Sequence, residues 1–227
     1  VDAPKKIAWI TPTNGRKDLL LAARQSWYEN IVGKIEKEII VDDSGNQEYH
    51  DWLKTEYPSA TVVRYSDENL GYTKTMQNCF EQSILSNCDY VLHTEDDFVL
   101  KEKLDINRIT EILDSNEDLA QVVFKRSPVY EWERSGIDII DSIRKRGYPI
   151  EYREGKDTIS VNSFYWSANP NIYPIKVAQL GWPNESGSEI AFSKKVFALG
   201  YRSSYLGKDS DPPIVDHIGH YRLGFGH

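Results

Sequence analysis

Apolar positions along the chain fall into two rhythms. Ile7-Ala8-Trp9-Ile10, Glu38-Ile39-Ile40-Val41, Ala60-Thr61-Val62-Val63-Arg64-Tyr65 and Asp89-Tyr90-Val91-Leu92-His93 are short β-prone runs. Between them lie stretches at helical spacing: Asp18 to about Glu29, Gln47 to Glu56 with Tyr49, Trp52 and Leu53, and Tyr72 to Leu85, whose Met76, Cys79, Phe80 and Ile84 share one face. The strands end in polar or glycine-containing turns, Thr11–Gly15, Asp42–Gly45 and Thr94–Asp97. This alternation predicts an α/β fold with a mostly parallel central sheet flanked by helices and a ligand site beyond the strand C-termini.

Further along, Leu104 to Leu113 has helical spacing and Leu119 to Lys125 is β-prone. Arg126 to Lys156 is mixed and charged, with Arg144-Lys145-Arg146 and several Tyr but no period, and is expected to be an insertion or flexible cover over the site. Ile159 to Trp166 alternates like a strand, and Ala168-Asn169-Pro170-Asn171 turns the chain. Glu189 to Leu199 is an amphipathic helix stopped by Gly200, and Tyr201 to Leu206 a closing strand. With no internal repeat or linker, the 227 residues are expected to make one domain.

Composition narrows the class. A 40% hydrophobic, 27% charged chain can bury a core, and no apolar run approaches the ~18 residues of a membrane span. The expectation is a soluble, cytoplasmic protein without stable membrane insertion. A formal charge of −8 opposes a surface that grips polyanions as a whole. Cys79 and Cys88 are too few for a disulfide framework and are expected to be reduced thiols.

The acidic strand ends carry the chemistry. Glu95-Asp96-Asp97 gathers like charges that a divalent cation would relieve, and Mg²⁺ or Mn²⁺ bridges carboxylates to a diphosphate. Asp42-Asp43-Ser44 would stand on the same rim, where a carboxylate accepts from a base imide or a ribose hydroxyl. Asn69-Leu70-Gly71-Tyr72-Thr73-Lys74 opens a helix, so its amides and Lys74 suit a phosphate.

Taken in order, Thr11 to Arg16, Val41 to Ser44, Asn69 to Gly71 with Asn78, and Glu95 to Asp97 resemble glycosyltransferase family 2 and its relatives with the GT-A (Rossmann-like) fold. The likeness covers roughly the first hundred residues. It implies a nucleotide-sugar-binding half, 1–100, and an acceptor-binding half, 101–227, with a mobile C-terminal tail. It also implies a metal-dependent, inverting transfer of a sugar, UDP-sugars favoured, to an acceptor hydroxyl. On that resemblance Thr11, Thr13, Arg16, Asp42, Asp43, Asn69, Gly71, Lys74, Glu95 and Asp96 face the nucleotide sugar. Asp97, Asp96 and His217 face the metal, a DXD-like arrangement with Glu95 where many relatives have Asp. Ser188-Glu189 before Gly200-Tyr201-Arg202 matches the family's acceptor half. It makes Glu189 the general base and Glu185 the reserve, because a carboxylate can take the proton of the attacking hydroxyl. His220 and His227 are weaker metal candidates than His217. Lys208 and Arg222 are placed to close over the diphosphate, and Trp166 and Trp182, with Asn169 and Asn184 nearby, to stack on an acceptor sugar.

Two other classes share these features. A sugar-phosphate nucleotidyltransferase also uses acidic metal ligands, though Thr13-Asn14-Gly15-Arg16-Lys17 is a poor version of its Gly-rich loop, and a carbohydrate-binding module would use the same aromatics. The acceptor, whether glycan, lipid-linked sugar, protein or modified nucleobase, stays open. The Arg144-Lys145-Arg146 cluster would suit a phosphorylated or nucleic-acid acceptor.

Overall fold

The computed structural model describes residues 5–219. The chain starts with β1 (Ile7–Thr13) and α1 (Lys17–Asn30), a short β2 (Ile31–Val32), β3 (Lys37–Asp42), α2 (Gln47–Glu56), β4 (Thr61–Arg64), α3 (Tyr72–Leu85) and β5 (Tyr90–His93). It continues through β6 (Phe98–Leu100), β7 (Leu104–Asp105), α4 (Ile106–Ser115), β8 (Leu119–Val123), a 3-10 turn (Glu131–Ser135), α5 (Ile139–Lys145) and β9 (Glu151–Arg153). The remainder is β10 (Ile159–Asn162), β11 (Asn171–Pro174), α6 (Ile175–Ala178), α7 (Ser188–Ala198), β12 (Arg202–Leu206) and β13 (Val215–His217).

Nine strands form one sheet in the order β4-β3-β1-β5-β11-β8-β12-β10-β9. All run the same way except β11 and β10, which are antiparallel to both neighbours. The expected mostly parallel α/β sheet is therefore present. One face packs Trp9, Trp27, Leu92, Phe98, Ile109, Val122 and Ile172. The other packs Ile10, Met76, Phe80, Trp166, Tyr173, Trp182 and Phe192. Buried aromatic rings dominate this second cluster, with Phe192 5.0 Å from Trp166 and 5.1 Å from Phe80 between ring centroids.

Several expectations are corrected. β1 continues past the Thr11-Pro12 signal to Thr13, because Pro12 faces the β5 side, where pairing has already ended at Ile10, and no N–H is needed there. On α3 the buried side includes Thr75 and Ser83, while Ile84 is exposed. β10 stops at Asn162, so Trp166 lies beyond it, and the turn expected through Asn171 instead enters β11, a central strand. Arg126 to Lys156 is not a formless cover: it holds the 3-10 turn, α5 and β9. The segment ahead of the C-terminus pairs back into the fold, with β13 antiparallel to β6. No helix among the described residues is long and apolar enough to cross a membrane. Cys79 and Cys88 are free and buried.

Candidate active site

The chain leaves β1 for β3 and β4 on one side of the sheet and returns to β5 on the other. The loops after β1 and β5 thus meet where strand order reverses, the place at which α/β sheets open a crevice. Arg16 spans that crevice. Its Nη1 donates to Asp97 Oδ2 at 2.7 Å, its Nη2 donates to Asp96 Oδ1, and its Nε reaches Asp96 Oδ2 at 3.4 Å. Thr13 Oγ1 donates to Asp96 Oδ2 at 2.9 Å, and the Asn14 amide does so at 3.3 Å. Burial raises the Asp96 pKa; Arg16 opposes the rise and Asp97 adds to it. Burial also works against the charge on Asp97, but His217 and Arg16 outweigh it and hold its carboxyl below the usual range.

The acidic triplet therefore divides. Glu95 lines a cavity, while Asp96 and Asp97 turn into the protein. β13 brings His217 to the triplet, its Nε2 3.3 Å from Asp97 Oδ2 and its ring against Phe98. Carboxylate oxygen and imidazole nitrogen, side by side, fit a Mn²⁺-type ion by donor chemistry. Asp96 does not join them, since both its oxygens serve Arg16 and the β1 loop. Among the described residues no cluster of three such side chains is gathered about one point.

The second acidic strand end also divides. Asp42 is buried: Oδ2 lies 3.0 Å from His50 Nδ1, and Oδ1 accepts the Ser44 amide at 2.9 Å. It faces α2 and not the crevice. Asp43 accepts the amides of Leu70 at 2.8 Å and Gly71 at 3.0 Å, and Asn69 Nδ2 donates to the Asp43 carbonyl at 2.7 Å. The amides expected to cradle phosphate at 70 and 71 are thus bound to Asp43, and the loop before α3 is locked to the end of β3. Gly45 (φ 64°) permits this closeness, because a Cβ there would stand 2.9 Å from the backbone of Glu68 and Asn69. Lys74 is exposed on the first turn of α3. Thr11 is fully buried, its Oγ1 accepting from Arg24 Nη1 at 3.1 Å and lying 3.1 Å from Thr94 Oγ1, so it is removed from any base contact.

Glu95 and Glu189 line one cavity of about 350 Å³. Glu189 sits in the first turn of α7, which Gly187 enters with a left-handed φ of 69°, and its Oε1 accepts the Ala168 amide at 2.9 Å. The hydroxyls of Tyr165 and Tyr72 are close enough to favour its charged form. Burial raises the Glu189 pKa, and these groups together with Arg126 pull the other way. Glu185 is exposed and outside the cavity lining, which removes the reserve candidate from the site.

The aromatic expectations change as well. Trp166 and Trp182 are buried in the core beside Phe192 and do not face the cavity; Asn184 is exposed, and Asn169 lines the cavity wall, accepting from Arg126 Nε at 3.1 Å. The rings that do line the cavity are Tyr72, Tyr130, Trp132, Phe164, Tyr165 and Tyr205. Four of them stand in stretches read as helix or strand, whose spacing does not say which faces a cavity; Tyr130 and Trp132 come from the segment without periodicity, where only their aromatic content signalled them. Arg126 was missed for the same reason. It is buried, with Nη1 and Nη2 donating to the two oxygens of Glu133 at 2.8 and 2.7 Å. Lys208 pairs with Glu154 at 2.8 Å, away from the crevice. His220, Arg222 and His227 lie outside the described residues.

No family model and no curated protein matches the sequence. Solved structures do match. A structure of residues 1–349 of S. aureus TarS superimposes with a TM-score of 0.64 at 15% identity, covering 94% of this chain and 60% of that one. The fold is of GT-A type. The same GT-A-type protein in complex with UDP gives a TM-score of 0.62 at 15% identity, with 93% and 60% covered. A Pyrobaculum calidifontis mannosyltransferase with GDP-Man and Mn²⁺ gives 0.59 at 11% identity, with 92% and 58% covered. The chain spans about three fifths of the length of these GT-A-type structures.

Proposed function

We propose that the protein is a glycosyltransferase that moves a sugar from a nucleoside-diphosphate sugar, UDP-sugars favoured, to an acceptor hydroxyl with inversion. One observation carries the reading: the half-buried carboxylate of Glu189 shares a cavity with Glu95, which is followed directly by the Arg16-bound acids at the reversal point of a GT-A-type sheet. The UDP and GDP-Man held by the structurally similar proteins support a nucleotide-sugar donor.

In this reading residues 1–100 hold the donor and 101–219, with the tail beyond, the acceptor. The donor lies along the rim formed by Asp43, Asn69, Arg16 and Asp96, with Lys74 toward its phosphates. Asp97 and His217 would hold a divalent ion, which when bound supplies the positive charge that stabilises a diphosphate leaving group. Glu189 takes the acceptor proton. The Ala168 amide fixes its orientation, and its raised pKa gives it more basicity than an ordinary carboxylate. Glu95, lining the same cavity, stands where the donor sugar would lie.

Incubation with a panel of UDP- and GDP-sugars and Mn²⁺, reading release of nucleoside diphosphate, tests the proposal. At least one donor is expected to be cleaved by the wild type and none by Asp97→Asn. Cleavage undiminished in Asp97→Asn, or none in the wild type, contradicts it.

A further inference from the structure

The wall of the cavity contains one cation with a distinctive setting. Arg126 is neutralised by the two-pronged contact with Glu133. On α5, Arg144 pairs with Asp209 at 2.8 Å and Lys145 with Asp141 at 3.1 Å. Arg146, which follows them, lines the cavity, and among the described residues it forms no ion pair. Its guanidinium lies 5.2 Å from the ring centre of Trp132 and 5.6 Å from that of Phe164. Aromatic faces hold a guanidinium in place without using its in-plane N–H donors. Those donors are left for a ligand.

The opposite charges of the cavity belong to Glu95 and Glu189. A negatively charged group is repelled by these carboxylates and attracted to Arg146, so a molecule with a hydroxyl and an anion is favoured with its anion on Arg146 and its hydroxyl toward Glu189. On a chain of formal charge −8, such a local cation is the feature that would admit an anion at all.

We infer that the acceptor carries an oxyanion, a phosphate ester or a carboxylate, and that Arg146 is the side chain that reads it. This inference rests on the transferase reading of the cavity. The 3-10 turn that supplies Trp132 is itself fixed, because Glu133 Oε2 accepts the Val129 and Tyr130 amides at 2.7 and 3.0 Å while bound to Arg126. The platform under Arg146 is thus in place before any ligand arrives.

The test uses the intact protein. UDP with Mn²⁺ is titrated first, which reports on the transferase reading alone. With the donor side saturated, ribose 5-phosphate and ribose, then glucuronate and glucose, are titrated by calorimetry; the same four titrations are run whether or not UDP binds. Wild type is expected to bind at least one charged probe roughly tenfold more tightly than its neutral partner, and the tighter of the two names the oxyanion. Arg146→Gln brings each pair within about twofold, while Arg144→Gln keeps the wild-type preference. A wild type without charge preference, or Arg146→Gln that retains it, overturns the inference.

Discussion

Nη1 of Arg16 donates to Oδ2 of Asp97 at 2.7 Å, joining the loop after β1 to the loop after β5 across the line where the strand order turns back. The same guanidinium serves Asp96. Removing it leaves two neighbouring buried acids without their main counter-charge. Arg16→Ala is therefore expected to lose roughly 3 kcal/mol in urea denaturation at pH 7, with a smaller loss near pH 3, where Asp96, its pKa raised by burial, is protonated. A loss no larger than the ~0–1 kcal/mol of a surface pair would contradict this.

Glu189 has a pKa raised above its ordinary 4.5, chiefly by burial. The unfolded chain releases this proton at lower pH than the folded one, so ionised Glu189 subtracts from stability above its folded pKa and the difference vanishes below 4.5. Glu189→Gln is accordingly expected to raise Tm at pH 8, to leave it unchanged near pH 4, and to lower kcat by about 10²–10⁴-fold. The acid limb of the wild-type rate profile should lie above the usual carboxylate range. Equal Tm differences at both pH values would be inconsistent with a buried charge.

His93 ends β5 fully buried, with no hydrogen-bond partner for either ring nitrogen among the described residues. Burial lowers its pKa from 6.5 to about 4. The folded state thus refuses a proton that the unfolded chain accepts. The contribution of the neutral ring is complete above pH 6.5 and is lost as pH falls from there toward 4, amounting to ~3 kcal/mol. Chemical denaturation across this window should show that slope in the wild type and a flatter one in His93→Gln.

Trp166 and Trp132 make a contrasting pair. Trp166 is fully buried among Phe80, Tyr173, Trp182 and Phe192, so Trp166→Ala is expected to cost about 3–5 kcal/mol of stability. Trp132 is half-buried in the cavity wall. Trp132→Ala should weaken acceptor binding, read as KM, with a smaller change in Tm. The reverse pattern would move the acceptor to another surface.

Much of residues 1–100 was legible because periodicity and turn chemistry agreed there. The ranges read from spacing for α2 and α3, Gln47–Glu56 and Tyr72–Leu85, match the structure. Errors followed from single boundaries. Ending β1 at Ile10 put Thr11 in a loop, whereas in a strand reaching Thr13 it shares the inward face of Trp9. Asp42 and Asp43 are equally good turn formers, and only the packing of α2 and the loop at 69–71 decides which of them faces inward. β11 was hidden because Asn171-Ile172-Tyr173-Pro174 is short, follows a turn signal and ends in proline. The cavity wall was unreadable because its rings come from α3, the 3-10 turn, the stretch after β10 and β12, and only long-range packing brings them together.

The central claim is that this crevice binds a nucleoside diphosphate together with a divalent ion. Thermal unfolding of wild type and Asp97→Asn with UDP or GDP, each with and without Mn²⁺, tests it most directly. The wild type should be stabilised by one nucleotide only when Mn²⁺ is present, by roughly 2–4 °C per kcal/mol of binding linkage, and Asp97→Asn should show no such shift. No stabilisation of the wild type under any of these conditions, or an undiminished shift in Asp97→Asn, would contradict the account.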